Sequence, residues 1–349
     1  MNKQESKIPQ WLAVILKILK CFAISIAGVI LLVAIMCVPY YVGEYNTPDL
    51  LNYVVNSDQK TCTVTGAKDP STLVLRIPEE IDGYTVTRIA PAAFKENDMQ
   101  TVILPDTIEV IGDSAFYACV NLMKVEGIND CVSLINIEDN AFAYCDSLIS
   151  MKLPDSIQSI GDYAFYVCEM WRDATIPLNT EQIGVCAYAG CFAIKEIYIP
   201  KFVKTIGEMA FLGCEQLVDI DVAEENPYWS SADGTLYDKE MKTLYCYPIG
   251  RNNQVFIVPE GVENIHYKAF ALNFNLKEIH LPTTIKKIGE EVLISAKGVN
   301  SKITTLNYAG SVEMWQAIDN PKNWGQYSSD FIIYCTDGQI AKDGTVTYN

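Results

Sequence analysis

The chain has 349 residues, half of them apolar, so it can bury a substantial core. Its formal net charge of -17 at pH 7 argues against a nucleic-acid partner, because phosphates are bound by basic surfaces. Its two histidines, His266 and His280, leave little for general-base catalysis or for a histidine-rich metal site.

The N-terminal segment contains a long apolar run. Residues 21–41 carry no charge, and a helix of that length would span ~31 Å, about one hydrocarbon core. Lysines dominate the basic tail before it, residues 1–20, so the positive-inside rule places that tail in the cytoplasm. The sequence predicts a transmembrane signal anchor in the plasma membrane, with the rest of the chain extracellular. A cleaved signal peptide is the alternative, although no A-x-A-like site follows the run.

Residues 42–88 are predicted to form a linker and an N-terminal cap. Within them, residues 61–66 and 73–78 alternate in polarity as strands do, and Asp82-Gly83 is a turn signal.

A motif of the form Ile-Gly-acid-x-Ala-Phe-x-x-Cys recurs through residues 89–300. Residues 110–119 read VIGDSAFYAC, and residues 159–168 read SIGDYAFYVC. The aromatic position returns about every 23 residues, which is typical of a repeat architecture. It is occupied in turn by Phe94, Phe116, Phe142, Phe165, Tyr188, Phe211 and Phe270.

Each repeat predicts one coil of a solenoid. A short strand that ends at Pro, as in residues 151–154 and 197–200, alternates inward and outward side chains. The Gly-acid-x-Ala-Phe stretch is predicted to be a turn and a short helical segment on the far side, with Gly supplying an unusual backbone angle. One coil buries too little to offset the entropy of ordering ~23 residues, so the coils must stack.

The repeated acids and cysteines have two interpretations each. Carboxylates after Gly, such as Asp113 and Asp162, could be catalytic groups or calcium ligands. Their repetition in several coils favours capping of loose N–H groups instead, since catalysis needs one site. Five cysteines share one repeat position, which favours buried free thiols over disulfides, and their spacing does not match a zinc site. They are Cys119, Cys145, Cys168, Cys191 and Cys214.

The interval between Phe211 and Phe270 holds an irregular insertion at residues 222–255. We predict a hairpin-bearing coil with an aromatic core, and a ligand-binding aromatic patch is the alternative. Residues 301–349, where the repeat fades, are predicted to be the C-terminal cap. The aromatic residues of the insertion are Tyr228, Trp229, Tyr237, Tyr245 and Tyr247.

The repeat resembles that of the BspA-like bacterial leucine-rich repeat surface proteins. Residues 148–168, LISMKLPDSIQSIGDYAFYVC, match the signature L-x-x-I-x-I-P-x-x-V-x-x-I-G-x-x-A-F-x-x-C nearly throughout. The resemblance implies an α/β fold, a right-handed leucine-rich repeat solenoid with a parallel sheet on one face. It also implies a secreted or surface-attached protein, because members are linked to adhesion and to binding of host proteins or other cells.

The sequence carries no motif for catalysis or for a cofactor, so we predict a protein that is not an enzyme and has no cofactor. We expect it to bind a protein partner at the cell surface; the alternatives are a ligand-free scaffold of the envelope and a glycan-binding module. The outward positions of the strands are the predicted partner-binding residues. They are Lys124, Glu126, Lys152, Asp173, Thr175, Glu196, Tyr198, Asp219, Asp221, Glu278 and His280.

Overall fold

The protein is described here by a computed structural model that covers residues 50–69, 71–295, 302–325 and 328–349. Within these ranges no helix is long and apolar enough to cross a bilayer, which takes about 20 apolar residues. The predicted location as a single-pass plasma-membrane protein is therefore corrected. The segment on which it depended, residues 21–41, lies outside the described residues.

The described chain is built mainly of short strands joined by turns. The first strands in chain order are β1 (Leu51–Val55), β2 (Thr61–Ala67), β3 (Val74–Arg76), β4 (Glu80–Ile81), β5 (Tyr84–Ile89), β6 (Thr101–Ile103), β7 (Val110–Ile111), β8 (Lys124–Glu126), β9 (Asn136–Ile137), β10 (Ser159–Ile160), β11 (Gln182–Ile183), β12 (Glu196–Ile199), β13 (Thr205–Ile206) and β14 (Asp219–Val222). The later elements are β15 (Trp229–Ala232), β16 (Thr235–Asp238), β17 (Thr243–Cys246), β18 (Val255–Ile257), β19 (Asn264–Ile265), β20 (Glu278–Leu281), β21 (Lys287–Ile288), β22 (Thr305–Tyr308), helix α1 (Val312–Gln316), β23 (Ile332–Cys335), β24 (Gly338–Ala341) and β25 (Val346–Tyr348).

Successive coils stack through two sets of parallel strands, which form a β-solenoid. One set, the motif ladder, pairs the residues that end at the motif Ile of each coil, in the order β5-β7-β9-β10-β11-β13. The other set, the sheet face, contains the strands predicted from the repeat, several of which end near Pro, and is divided into β3-β6-β8, β12-β14 and β18-β20-β22-β23. The motif ladder was not predicted, because its strands are two residues long in most coils and show no alternation.

The motif forms a stack of turns and not the predicted helical segment. In most of these turns two residues adopt the left-handed conformation, for example Ser114 (φ 56) and Ala118 (φ 55). This conformation is uncommon outside glycine, and here it aims alternate amides at the following coil. Phe116 N donates to Ala141 O at 2.8 Å, and the next coils repeat this bond. The amides between them bond within the turn, as Ala115 N does to Gly112 O at 3.1 Å, so the turn is held both by its own bonds and by bonds to the next coil.

The motif glycine serves close packing between coils and not an unusual backbone angle. A Cβ at Gly184 would lie 2.5 Å from Asp162 N, inside the backbone of the preceding coil. The left-handed angle falls two residues later, at Cys186 (φ 53). The predicted role of this glycine is thus corrected: the coils approach so closely at this point that no side chain fits.

The motif aromatics form a buried column along the solenoid. The rings of Phe94 and Phe116 have centroids 5.3 Å apart, and those of Phe116 and Phe142 are 5.1 Å apart and nearly parallel. Phe165 and Tyr188 continue the column at 5.7 and 5.3 Å. Each ring is buried by the coils on both sides, which is why a single coil is insufficient for folding.

The five motif cysteines are buried, as predicted, and each thiol is close to a backbone carbonyl of the preceding coil. Cys145 Sγ donates to Phe116 O at 3.2 Å, and Cys168 Sγ donates to Phe142 O at the same distance. All ten cysteines among the described residues are free thiols. Cysteine suits this position because its side chain is small enough to be buried there and its thiol can donate one weak hydrogen bond to the carbonyl.

The acids near the motif bind amides of neighbouring coils. Asp139 Oδ1 accepts a bond from Asp162 N, and Asp162 Oδ1 accepts one from Val185 N, both at 2.7 Å. Capping is therefore the observed role of Asp162, although the N–H group belongs to the next coil and not to a helix within the same coil.

The insertion interrupts both sets of strands. The hairpin β15–β16 packs beside β14, where Ile220 N donates to Gly234 O at 3.0 Å. The indole of Trp229 donates to Lys204 O at 3.3 Å. The motif ladder ends at β13 and a separate order, β15-β16-β17-β19-β21, begins with the hairpin. The buried core is likewise divided into two clusters, which meet at Leu236 and Tyr237.

Candidate binding surfaces

The predicted partner-binding residues lie on the sheet face, but the breaks between its sheets separate them into groups. In the first group, Lys124 and Glu126 are exposed on β8, beside Thr101 and Ile103 of β6. The sheet stops there: only an isolated bridge links Lys124 to Ser150.

The middle of the row has no regular strand. Lys152, Asp173 and Thr175 are exposed, yet residues 151–154 and 172–178 form no strand. The short strand that the repeat predicted in each of these coils, as at residues 151–154, is therefore absent, and that prediction is wrong here. The structure does not bring these three side chains into a ladder with the other groups.

The second group lies on a pair of neighbouring strands. Strands β12 and β14 pair in parallel, which places Glu196 opposite Asp219 and Tyr198 opposite Asp221. The Tyr198 side chain is 50% exposed. Asp221 Oδ1 accepts bonds from Val222 N at 2.9 Å and from the Ser231 hydroxyl at 3.2 Å. Three carboxylates and one exposed aromatic ring thus share one small surface.

A basic residue that the sequence analysis missed lies beside this group. Arg251 Nε donates to Val218 O at 2.8 Å, and its guanidinium lies 3.4 Å from the Asp233 carboxylate. Arg251 is 33 residues from Val218 in the sequence, and only the fold of the insertion brings the two together. No local sequence pattern could therefore have placed Arg251 beside this group.

The third group lies on β20. Glu278 Oε1 is 2.6 Å from His280 Nε2 and also accepts a bond from the Asn307 amide. Both side chains are only partly exposed. The neighbouring edge strand β18 presents Ile257, which is 68% exposed, opposite His280. This group is therefore internally bonded and bordered by apolar side chains.

The aromatic residues of the insertion are divided between core and surface. Trp229, Tyr237 and Tyr247 are buried, as the prediction of an atypical core required, and Tyr228 is exposed. Tyr245 stacks on His266, with ring centroids 4.3 Å apart. Burial of three of the five rings leaves no continuous aromatic patch for a ligand.

A second surface that sequence reasoning missed lies on the motif turns. Four partly exposed tyrosines, Tyr117, Tyr144, Tyr163 and Tyr166, form a chain of ring contacts across three coils. The recurrence of Tyr within two residues of the motif Phe was the sequence signal that could have indicated this surface. Among the described residues, no group of three His, Cys, Asp or Glu side chains could hold a metal ion.

The sequence matches the family model described as the BspA type leucine rich repeat region. The match contains six copies and covers residues 87–225 and 245–315. The chain belongs to the BspA-type leucine-rich repeat family. The match includes the whole second group and the tyrosines of the motif turns, so both surfaces are built on family repeats.

Solved structures of bacterial proteins share this solenoid fold. The pneumococcal vaccine antigen PcpA aligns with a TM-score of 0.64 at 20% identity, over 76% of this chain and 81% of its own. A leucine-rich repeat protein from Bacteroides ovatus gives 0.59 at 21%, over 79% and 76%. A leucine rich cell surface protein from Faecalibacterium prausnitzii gives 0.57 at 21%, over 77% and 96%. No curated protein matches the chain significantly.

Proposed function

We propose that the protein is a non-catalytic interaction module that recognises a protein partner, with adhesion at a cell surface as its task. Membership of the BspA-type family supports a binding scaffold. Among the proteins with a similar fold, one is described as a cell surface protein and another as a vaccine antigen. Repeat solenoids bind partners through extended surfaces built from many coils.

The observation that carries the proposal is the paired row on β12 and β14. Glu196 and Tyr198 lie in register with Asp219 and Asp221 on a rigid parallel pair. An exposed Tyr surrounded by carboxylates is a typical anchor of a polar protein interface, because the ring supplies contact area at low entropy cost. A glycan-binding role is less well supported, since Trp229, Tyr237 and Tyr247 are buried.

The test compares partner capture by the full chain and by a sheet-face variant. The variant combines Glu196→Ala, Tyr198→Ala, Asp219→Asn and Asp221→Asn; the Asn at 221 keeps an oxygen that accepts the bond from Val222 N. A partner first identified by crosslinking on intact cells should bind the variant about tenfold more weakly or worse, by the loss of one anchor and its charged neighbours. The melting temperature should stay unchanged.

The matched control is Glu224→Ala with Glu225→Ala, which removes two exposed acids close to β14 but outside the row. The control should bind as the unmodified chain does. Equal affinity of the sheet-face variant and the unmodified chain would remove these residues from the binding site.

A further inference from the structure

The tyrosine stripe, defined as Tyr117, Tyr144, Tyr163 and Tyr166, has a regular geometry. The ring centroids of Tyr117 and Tyr144 are 5.5 Å apart, those of Tyr144 and Tyr166 are 5.3 Å apart, and those of Tyr163 and Tyr166 are 5.5 Å apart. The planes meet at 72 to 84°, an edge-to-face arrangement. Tyr144 and Tyr163 are each 37% exposed, so part of the aromatic surface is open to solvent.

The backbone holds the rings in place. Tyr144 N donates to Tyr166 O at 2.7 Å, and Glu96 N donates to Tyr117 O at 2.7 Å, so the coils on both sides fix the turn that carries each ring. The stripe is thus a preformed surface, and binding to it needs little ordering of the protein.

The fold does not require tyrosine at these positions. The position of Tyr117 and Tyr166, one residue after the motif aromatic, is occupied by Lys95 and Ala189 in other coils that form the same turn. The buried column is made by the motif aromatics themselves, not by the stripe. Stacked exposed rings in adjacent coils therefore serve something other than the core.

Carboxylates lie close to two rings of the stripe, Tyr144 and Tyr163. Asp146 lies close to Tyr144, and its Oδ1 is buried without a hydrogen-bond partner among the described residues. Burial and the nearby Glu169 carboxylate raise the pKa of Asp146, as expected where carboxylates face no compensating cation. The Asp162 carboxylate also lies close to Tyr163. This environment favours a cationic ligand and repels an anionic one.

The chain itself shows how a cation binds this surface. Lys95 Nζ lies over the ring of Tyr117, 4.9 Å from its centroid, at one end of the stripe. The attraction between a cation and the ring face explains this position. The rings of Tyr144, Tyr163 and Tyr166 carry no such cation among the described residues.

We propose that the tyrosine stripe binds an extended lysine- or arginine-rich segment of a partner protein, whose cations lie on the tyrosine rings. Alternate side chains of an extended segment are ~6.6 Å apart, close enough to the ring spacing for flexible basic side chains to reach successive rings. The stripe is on the motif turns and not on the sheet face. The proposal therefore does not depend on the binding role of Glu196 and its neighbours.

The test measures binding of a fluorescent peptide of six lysines alternating with serines to the full chain by anisotropy, at 0.15 M salt. The variant is Tyr144→Leu with Tyr163→Leu and Tyr166→Leu, the three rings without a cation of the chain itself, which keeps apolar area and net charge but removes the free aromatic faces. Each cation–π contact at an exposed site contributes about two- to fivefold in affinity, so the triple variant should bind roughly 10- to 100-fold more weakly.

Two controls isolate the cation–π contact. The matched triple Tyr→Phe variant keeps the ring faces and should bind within about twofold of the unmodified chain, and so should the sheet-face variant. A peptide with glutamine in place of lysine should not bind. Should the triple Leu variant fail to fold, Tyr144→Leu alone should weaken binding by about two- to fivefold.

Any of the following results would overturn the proposal. The first is unchanged affinity of the Leu variant for the lysine peptide. The second is equal affinity of the unmodified chain for the glutamine peptide, which would indicate an apolar or hydrogen-bonding occupant. The third is absence of lysine-peptide binding by the unmodified chain at millimolar concentration. A Phe variant that loses as much affinity as the Leu variant would also contradict it, because the hydroxyls would then carry the binding.

Discussion

Replacing Gly184 by alanine should destabilise the solenoid far more than an ordinary Gly→Ala change. The new Cβ would lie 2.5 Å from Asp162 N and 2.6 Å from Asp162 Oδ1, and it would also meet the backbone carbon of Gly161. An ordinary contact of this kind is at least 3.4 Å. The two coils would therefore have to separate locally by roughly 1 Å, a shift that close-packed interiors resist.

That separation breaks the bonds on both sides of the residue. Gly184 N donates to Ile160 O, and Gly207 N donates to Ile183 O, each at 2.8 Å. A stretch of roughly 1 Å removes both bonds, at about 1 kcal/mol each, with a further penalty for buried groups left unpaired. We expect a loss of about 2–4 kcal/mol in the free energy of unfolding, measured by urea denaturation of the full chain followed by circular dichroism.

The matched control is Gly344→Ala. A Cβ there would meet nothing within 4 Å, but the backbone has φ +87. The control therefore measures left-handed strain alone, which costs about 1–2 kcal/mol. Our explanation of the motif glycine would be refuted if Gly184→Ala were no more destabilising than Gly344→Ala.

Two further predictions follow from buried polar groups. Burial raises the pKa of Cys119 to about 12 and that of Cys145 above its ordinary value. Because thiols of the unfolded chain ionise near pH 9, the melting temperature should fall as the pH rises from about 9 towards 12. Labelling of either thiol by iodoacetamide in the folded protein at pH 8 would contradict this prediction. The Asn226 side chain donates to Pro200 O at 2.8 Å and to Val203 O at 3.0 Å, and it accepts bonds from two backbone amides. Asn226→Ala should therefore lower the free energy of unfolding by about 2–4 kcal/mol, measured by urea denaturation. A change below about 1 kcal/mol would show that water replaces the side-chain amide.

The sequence predicts the repeat and its buried positions well because burial is periodic. Ile160, Phe165 and Cys168 are fully buried, since each occupies the same place in its coil as its counterparts do in theirs. The division into caps at residues 42–88 and 301–349 stays a prediction. The motif ladder and the role of Gly184 could not be foreseen, because both arise from distances between coils that one repeat does not encode.

The candidate surfaces were harder to predict for the same reason. Alternation along a strand correctly indicated which side chains face outward, such as Glu196 and Tyr198. It could not show that the sheet breaks after β8, which separates Lys152 from the paired row. Nor could it show that Tyr144 and Tyr166 touch, because they are brought together by stacking and not by their separation in the chain.

The recurrence of one contact from coil to coil has a consequence for how such a gene can change. Gly161 N binds Ile137 O at 2.9 Å, and Gly184 N binds Ile160 O at 2.8 Å, so each coil offers its successor the same attachment. Deletion of residues 161–183 would join Ile160 directly to Gly184 and leave an intact Ile-Gly junction. Duplication of the same stretch would add one coil between equivalent neighbours. Recombination within the coding sequence can therefore add or remove whole coils, and with them part of the outer surface. The core contacts between the remaining coils stay the same.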